Sequence, residues 1–199
     1  MRYKLIKTDI VDPDINSPEW QRAESGVIFT KRWPEYTDCP ATTFKLLRGP
    51  EGISVLMHTE ETGLRAVCET QNGDIYLDSC MEFFFKPDNL DTRYLNFEFN
   101  PKGVLHLGLG DGRHGRTLMD TDRSAFSIES NGNDGDWTLK FYIPDSFLLG
   151  IFGQISSVAK GNFYKCGDAT GHAHFGTWAD VEVPAPDFHQ PDFFGKLEM

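Results

Sequence analysis

From Gly52 to Thr59 the apolar residues Ile53, Val55 and Met57 fall on one face of an extended segment, and further runs repeat that period of two. Met81, Phe83 and Phe85 alternate with Cys80, Glu82 and Phe84, and Leu95, Phe97 and Phe99 alternate with Tyr94, Asn96, Glu98 and Asn100. Leu105, Leu107 and Leu109 follow the Pro101–Gly103 turn, while Trp137, Leu139, Phe141 and Ile143 stand opposite Thr138, Lys140 and Tyr142. A period of two is the repeat of a strand that turns one face to a core. Gly, Pro, Asn and Asp separate the runs, and these are the residues of turns. Helical signals are confined to the segment after Ser17-Pro18-Glu19-Trp20 and to Asp145–Leu149, each short and each opening with a plausible cap. Many short strands, little helix and no βαβ rhythm predict an all-β fold, a two-sheet antiparallel β-sandwich of jelly-roll-like form. The chain has no internal repeat, linker or low-complexity tract, so one domain over residues 1–199 is expected.

The same alternation locates a polar face. If Leu95, Phe97 and Phe99 point inward, Asn96, Glu98 and Asn100 share the other face of that strand, and Glu82 likewise faces away from Met81 and Phe83. Two strands therefore present amides and carboxylates together, with Lys140 expected to join from a third. One reading is the solvated face that antiparallel sandwiches normally carry. The other is a sugar site, because carboxylate oxygens accept from adjacent hydroxyls and an amide both donates and accepts. Paired carboxylates such as Glu82 and Glu98 are also what a glycosidase uses as acid and base.

Composition narrows the partners. A hydrophobic fraction of 39% and a charged fraction of 25% are those of a soluble globular chain. Its sixteen phenylalanines cluster in short runs, as a β-rich core uses them. A net charge of −11, with no Lys/Arg cluster to offset it, makes nucleic acid a poor partner. No stretch approaches the roughly 20 apolar residues of a membrane helix, so no membrane partner is expected. The segment Met1–Asp14 lacks the apolar centre of a signal peptide, which favours the cytoplasm unless a leader was removed. Cys39, Cys68, Cys80 and Cys166 form no CxxC pair; they read as thiols in the cytoplasm, or as two disulfides in a secreted protein.

Several local patterns carry little. Gly110-Asp111-Gly112-Arg113-His114-Gly115 matches GxGxxG, but no amphipathic helix follows, so a glycine-rich hairpin or loop is expected. Asn131–Asp136 begins like a calcium loop, yet Tyr142 stands where the bidentate Glu belongs; a type I′-like turn before the Trp137 strand fits better. His172-Ala173-His174, near Asp168 and Cys166, lacks further metal ligands at a convincing spacing. No Ser-His-Asp order, GxSxG or catalytic-cysteine signature supports nucleophilic hydrolysis.

Five segments in order, Asp12–Trp20, Asp78–Phe84, Asn96–Asn100, Asn162–Asp168 and Asp187–Leu197, resemble the family-9 carbohydrate-binding modules. The resemblance spans nearly the whole chain and implies a distorted sandwich of two antiparallel sheets. It also implies a non-catalytic module that grips the reducing end of glucans and xylans between two tryptophans. Matched residue by residue, the family's binding carboxylate corresponds to Glu82 and its binding amide to Asn100. An arginine two residues before that amide is replaced by Glu98, and the second tryptophan by Phe188. The first tryptophan falls near Ile75–Tyr76, where Tyr76 is the aromatic candidate, and a glutamine maps to Tyr164 or Lys165. Phenyl and phenol offer a smaller stacking platform than indole. Trp178 matches a core tryptophan, Trp20 the N-terminal segment, and Trp137 lies on a core stripe, which leaves Trp33 as a loop aromatic able to reach a ligand. Some family members carry structural calcium on loop carboxylates and carbonyls, which the acidic excess permits; no other cofactor is implied.

The resulting expectation is a non-catalytic carbohydrate-binding domain. The saccharide would lie over Glu82, Asn96, Glu98 and Asn100, flanked by Tyr76, Phe188 and His189, with Tyr164 and Lys165 closing one side. Two alternatives stand beside it. One is a carbohydrate-active hydrolase using Glu82 and Glu98, with His189 or Lys165 assisting. The other is a ligand-carrier or interaction domain of the same fold, including haem-binding relatives, drawing axial ligands from Met57, His58 or His106.

Overall fold

A computed structural model describes residues 1–29, 32–36, 38–133 and 135–199. In its first half the strands are β1 (Arg2–Lys4), β2 (Ile6–Lys7), β3 (Gly26–Ile28), β4 (Ala41–Arg48), β5 (Gly52–Glu60), β6 (Cys80–Lys86) and β7 (Tyr94–Phe99). There follow β8 (Leu105–Gly110), β9 (Thr117–Leu118), β10 (Glu129–Asn133), β11 (Asp136–Pro144), helix α1 (Asp145–Phe152), β12 (Val158–Cys166), β13 (Phe175–Thr177) and β14 (Gly195–Glu198). One sheet runs β1-β14-β12-β6-β7-β8-β9 with β13 added to β12, and the other runs β10-β11-β5-β4-β2 with β3 added to β4. The pairings are antiparallel except at the chain's first strands, where β1 joins β14 and β2 joins β4 in parallel.

The alternating runs do form the strands, and their apolar sides meet between the sheets. Ile53, Val55 and Met57 of β5 and Leu139, Phe141 and Ile143 of β11 face Met81, Phe83, Phe85, Leu95, Phe97 and Phe99 in one cluster. Phe44 of β4 stacks on Phe163 of β12 at 3.6 Å, and Phe163 on Phe83 at 4.3 Å, so rings from both sheets interlock across the sandwich. Ser17 accepts from the Glu19 N–H and opens a 3₁₀ turn at Pro18–Arg22. The short helix α1 ends at Gly153, whose φ of +76° favours a residue without a Cβ. The glycine-rich segment after β8 is the β8–β9 loop, and the turn before Trp137 joins Asn133 to its partner Asp136 around Gly135; Asp134 lies outside the described residues.

Two sequence expectations change. Lys140 does not share a face with Glu82 and Glu98. It lies on β11, in the other sheet, where its ammonium pairs with Asp12 and, at 3.2 Å, with Glu129. The polar face of β6 and β7 is also not a solvated surface, since every residue from Cys80 to Phe85 and from Tyr94 to Phe99 is buried. A second apolar cluster lies on this outer face, where Trp33, Ile75, Phe188 and Phe194 gather over Phe84, Tyr94 and Tyr164. The central strands β6, β7 and β12 are thus largely covered on both sides, and the outer cover comes largely from loops.

Candidate functional site

Register places the floor of the site. Tyr164 on β12 lies opposite Glu82 on β6, Glu82 opposite Glu98 on β7, and Glu98 opposite His106 on β8. Asn96 lies two residues before Glu98 on the same face, and its amide donates to Glu98 Oε1. Over this row opens a pocket of about 410 Å³, lined among others by Tyr76, Glu82, Glu98, His106, Arg116 and Phe188. Cys166, Asp168, Arg113, Phe175, Pro186 and His189 complete it.

Three loops build the walls. The 3₁₀ turn Ile75–Leu77 carries Tyr76, which is 42% exposed at the rim. The β8–β9 loop brings Arg113 and Arg116, and the segment before β14 brings Phe188 and His189. Gly108 and Gly110 occupy the outward positions of β8, and a Cβ on either would collide with the Arg116 side chain; at Gly108 it would also meet Asn96 Oδ1. The missing side chains leave the channel in which the Arg116 guanidinium lies across the sheet. Phe188 rests on Tyr164, their rings parallel with centroids 4.1 Å apart.

Charge is concentrated here. Burial, followed by the facing Glu98 carboxylate, pushes Glu82 well above the usual carboxylate range, against the hydrogen bond that the Cys166 thiol donates to it at 3.0 Å. Burial also raises Asp168, opposed by Arg113 and reinforced by Glu98. Burial and the Arg116 guanidinium beside it lower His189 to about 3. A guanidinium has no acceptor, so the His189 ring must accept from Arg116 and stays neutral. Its Nδ1 is also 2.8 Å from the Tyr94 hydroxyl. Burial opposes ionisation of Asp187, but hydrogen bonds from Gln190, the His189 N–H and Arg113 hold its carboxyl below the usual range.

Of the residues read from the sequence, Tyr76, Glu82, Glu98, Phe188 and His189 line the pocket. Asn96 lies in the floor, wholly buried, with Oδ1 lacking a hydrogen-bond partner. Asn100 is on the same face but serves the fold. Its amide donates to the Cys68 carbonyl and to Asp78, and its carbonyl accepts from the Lys102 and Val104 N–H groups. Tyr164 is buried behind Phe188 and donates its hydroxyl proton to the Phe188 carbonyl at 3.0 Å. Lys165 turns to the opposite face and is fully buried against Glu61 and His174, each at 2.9 Å. Trp33 is buried too, its Nε1 donating to the Val183 carbonyl and its ring 6.2 Å from Phe188.

The other candidate groups do not assemble. Met57 lies in the central core, His58 bonds Thr138 on the six-stranded sheet, and His106 bonds the Gly73 carbonyl, so no axial pair for haem is formed. His174 is buried while His172 is exposed, and among the described residues they join no convergent ligand set. Calcium needs six to eight oxygens. Among the described residues the one convergent set of acidic, His and Cys ligand atoms is Cys80, Glu82 and Cys166, with two sulfurs, which does not fit calcium. No helix among the described residues is long and apolar enough to cross a membrane. Arg113 and Arg116 were not among the site residues expected from the sequence, and His106 was expected only as a haem ligand. Their signal was present in His106-Leu107-Gly108-Leu109-Gly110, where glycines at outward positions mark close approach by another group.

Residues 18–199 match the profile of carbohydrate-binding family 9. A crystal structure from Bacteroides uniformis, of a protein to which a carbohydrate-binding role has been ascribed, superposes with a TM-score of 0.88 at 27% identity; the match covers 98% of this chain and 97% of that one. A family-9 carbohydrate-binding module from Caldicellulosiruptor kristjanssonii in complex with cellotriose aligns at 13% identity with a TM-score of 0.68, covering 100% and 93% of the two chains. A complex of such a module from that organism with glucose gives 15% identity and 0.67, covering 100% and 95%. At those identities the likeness is one of fold. No curated protein matches the sequence.

Proposed function

Because the chain belongs to carbohydrate-binding family 9, we propose that the pocket over β6, β7 and β8 holds one end of a saccharide without cleaving it. The carrying observation is the composition of a single pocket: facing carboxylates on a rigid sheet, two arginines above them, and Tyr76 and Phe188 in the lining. Its volume of about 410 Å³ lies within the range of small-molecule sites, about 300–1,000 Å³. Sugar hydroxyls donate and accept at once, and the lining offers both functions. Glu98 accepts, the neutral acid form of Glu82 donates and accepts, and the guanidinium groups donate. Tyr76 and Phe188 supply apolar faces for the C–H groups of a pyranose.

Glucose and short β-glucans are the natural first probes, because a neighbour of the same fold was solved with each kind. Calorimetric titration of wild type beside Glu82→Ala and Phe188→Ala tests the reading. A saccharide bound by wild type and at least about tenfold more weakly by both variants supports it, since a buried polar group left unpaired costs about 1–3 kcal/mol and burial of an apolar side chain is worth about 1.5–3 kcal/mol. No heat and no thermal stabilisation from any sugar at millimolar concentration would overturn it.

One observation favours a second reading, a hydrolase. Glu82 and Glu98 are direct cross-strand neighbours, and the environment of Glu82 favours the protonated form that a general acid requires. Release of reducing ends from an oligosaccharide, lost in Glu82→Gln, would support that reading over the first.

A further inference from the structure

Beneath the pocket, three buried side chains converge. Cys80 and Cys166 face each other across β6 and β12, and Glu82, two residues along β6, turns to the same side. Cys166 Sγ lies 3.0 Å and Cys80 Sγ 3.8 Å from one oxygen, Glu82 Oε1. The three ligand atoms all lie within 4.8 Å of one another. From this convergence we propose that Cys80, Cys166 and Glu82 form a binding site for a thiophilic divalent cation of the zinc class, with a fourth position open to the pocket.

Geometry and donor chemistry both select that ion. Zinc bonds of about 2.3 Å to sulfur and 2.0–2.2 Å to oxygen, at tetrahedral angles, separate neighbouring ligand atoms by about 3.5–3.8 Å. The sulfur–oxygen separations of 3.0 and 3.8 Å and a sulfur–sulfur separation within 4.8 Å all lie within about 1 Å of that range, so small side-chain adjustments close the site. Two sulfur ligands select against calcium and magnesium, which take oxygen. Glu82 and Cys166 also line the pocket, so water can complete the tetrahedron from there. Three protein ligands with one exchangeable position is the pattern of zinc sites that meet solvent. Two thiolates and a carboxylate leave a bound divalent ion with one excess negative charge. Two cations lie near it: Arg116 acts on Glu82, and Lys165, itself paired with Glu61, acts on Cys80 while donating to the Cys166 carbonyl at 2.9 Å. Binding exchanges the two thiol protons, together with the carboxyl proton that burial keeps on Glu82, for the ion and releases them to solvent. The site stands on these side chains whether or not a saccharide occupies the pocket above.

The test is a titration of the full chain, kept reduced with a phosphine, using Cd²⁺ as spectroscopic probe and Zn²⁺ as competitor. The expected result is a thiolate-to-cadmium absorption that saturates at one equivalent and is displaced by Zn²⁺. The Cys80→Ala/Cys166→Ala protein should lose it, with affinity down by more than the roughly tenfold that removal of even an outer partner costs. Cys39→Ala/Cys68→Ala should keep it. If the first double variant does not fold, zinc-edge absorption on wild type decides: two sulfurs at about 2.3 Å are expected. No saturable absorption in wild type, an undiminished one in folded Cys80→Ala/Cys166→Ala, or a zinc shell without sulfur would each overturn the proposal.

Discussion

The ring of Phe188 lies parallel to that of Tyr164, with centroids 4.1 Å apart, and the Tyr164 hydroxyl donates to the carbonyl of Phe188 itself at 3.0 Å. One residue of the sheet thus holds both the side chain and the backbone of the pocket wall. The Gln190 N–H donates to the same carbonyl, so Tyr164→Phe keeps the stack and leaves that acceptor partly served. We expect it to cost about 1 kcal/mol in chemical denaturation, the net worth of one hydrogen bond. Tyr164→Ala should cost about 3–5 kcal/mol and weaken saccharide binding as well. Equal stability of all three proteins would show that the stack does not support the wall.

Gly108 offers a way to move Arg116 without deleting it. A Cβ at this position would collide with the guanidinium and with Asn96 Oδ1, whereas one at Gly112 meets nothing within 4 Å. Gly108→Ala is therefore expected to displace Arg116 and lower saccharide affinity about as much as Arg116→Ala does. Gly112→Ala should bind like wild type. Unchanged binding in Gly108→Ala would mean that the guanidinium contributes nothing from its place across the sheet.

Lys165 poses the opposite case, a charge that serves the fold and not the pocket. It is fully buried and paired with Glu61, whose other oxygen accepts from Ser79. Lys165→Met strands that carboxylate and is expected to cost about 3–5 kcal/mol of stability. Adding Glu61→Leu should recover much of the loss, and saccharide affinity should change little in either protein. The comparison needs a denaturation curve and one binding titration for each variant.

Protonation of His189 sets an acid limit. Burial, then Arg116, Arg113 and His106, oppose its charge while Asp187 favours it, and together they lower it to about 3 in the folded state against 6.5 unfolded. A depressed folded value means that the unfolded chain binds the proton first, so stability is lost as pH falls from about 6.5 towards 3. His189→Gln carries no such proton. Plotted against pH, the stability difference between wild type and His189→Gln should shift by several kcal/mol towards the variant as acid is added. A difference that stays flat from pH 7 to pH 4 would contradict the burial and charge argument.

How far the sequence could be read depended on whether a feature obeys the strand period. Leu95, Phe97 and Phe99 face the core because alternation leaves no other choice, and Glu82 and Glu98 follow by parity onto one face. Lys165 was misread against that same rule. It follows Tyr164 on β12, so a strand that turns Tyr164 outward must turn Lys165 the other way. Asn100 has the right parity but sits at the strand end, where its amide is spent on the Cys68 carbonyl, Asp78 and the Val104 N–H. Lys140 was misread because alternation assigns a face within a strand but does not say to which sheet the strand belongs. The outer cover obeys no period at all. Phe188, His189, Arg113 and Arg116 arrive on loops whose paths are fixed by contacts with distant residues, such as Arg113 with Asp187 at 2.9 Å.

Trp33 never reaches the pocket, yet its indole is anchored to the Val183 carbonyl and lies 6.2 Å from the ring of Phe188. The other three tryptophans sit elsewhere, Trp137 and Trp178 in the central core and Trp20 in a satellite of the six-stranded sheet. One indole of the four is therefore poised as a built-in optical gauge. A guest that presses on Phe188 would register in the emission of a chromophore it does not touch, so occupancy can be followed by light with no label added.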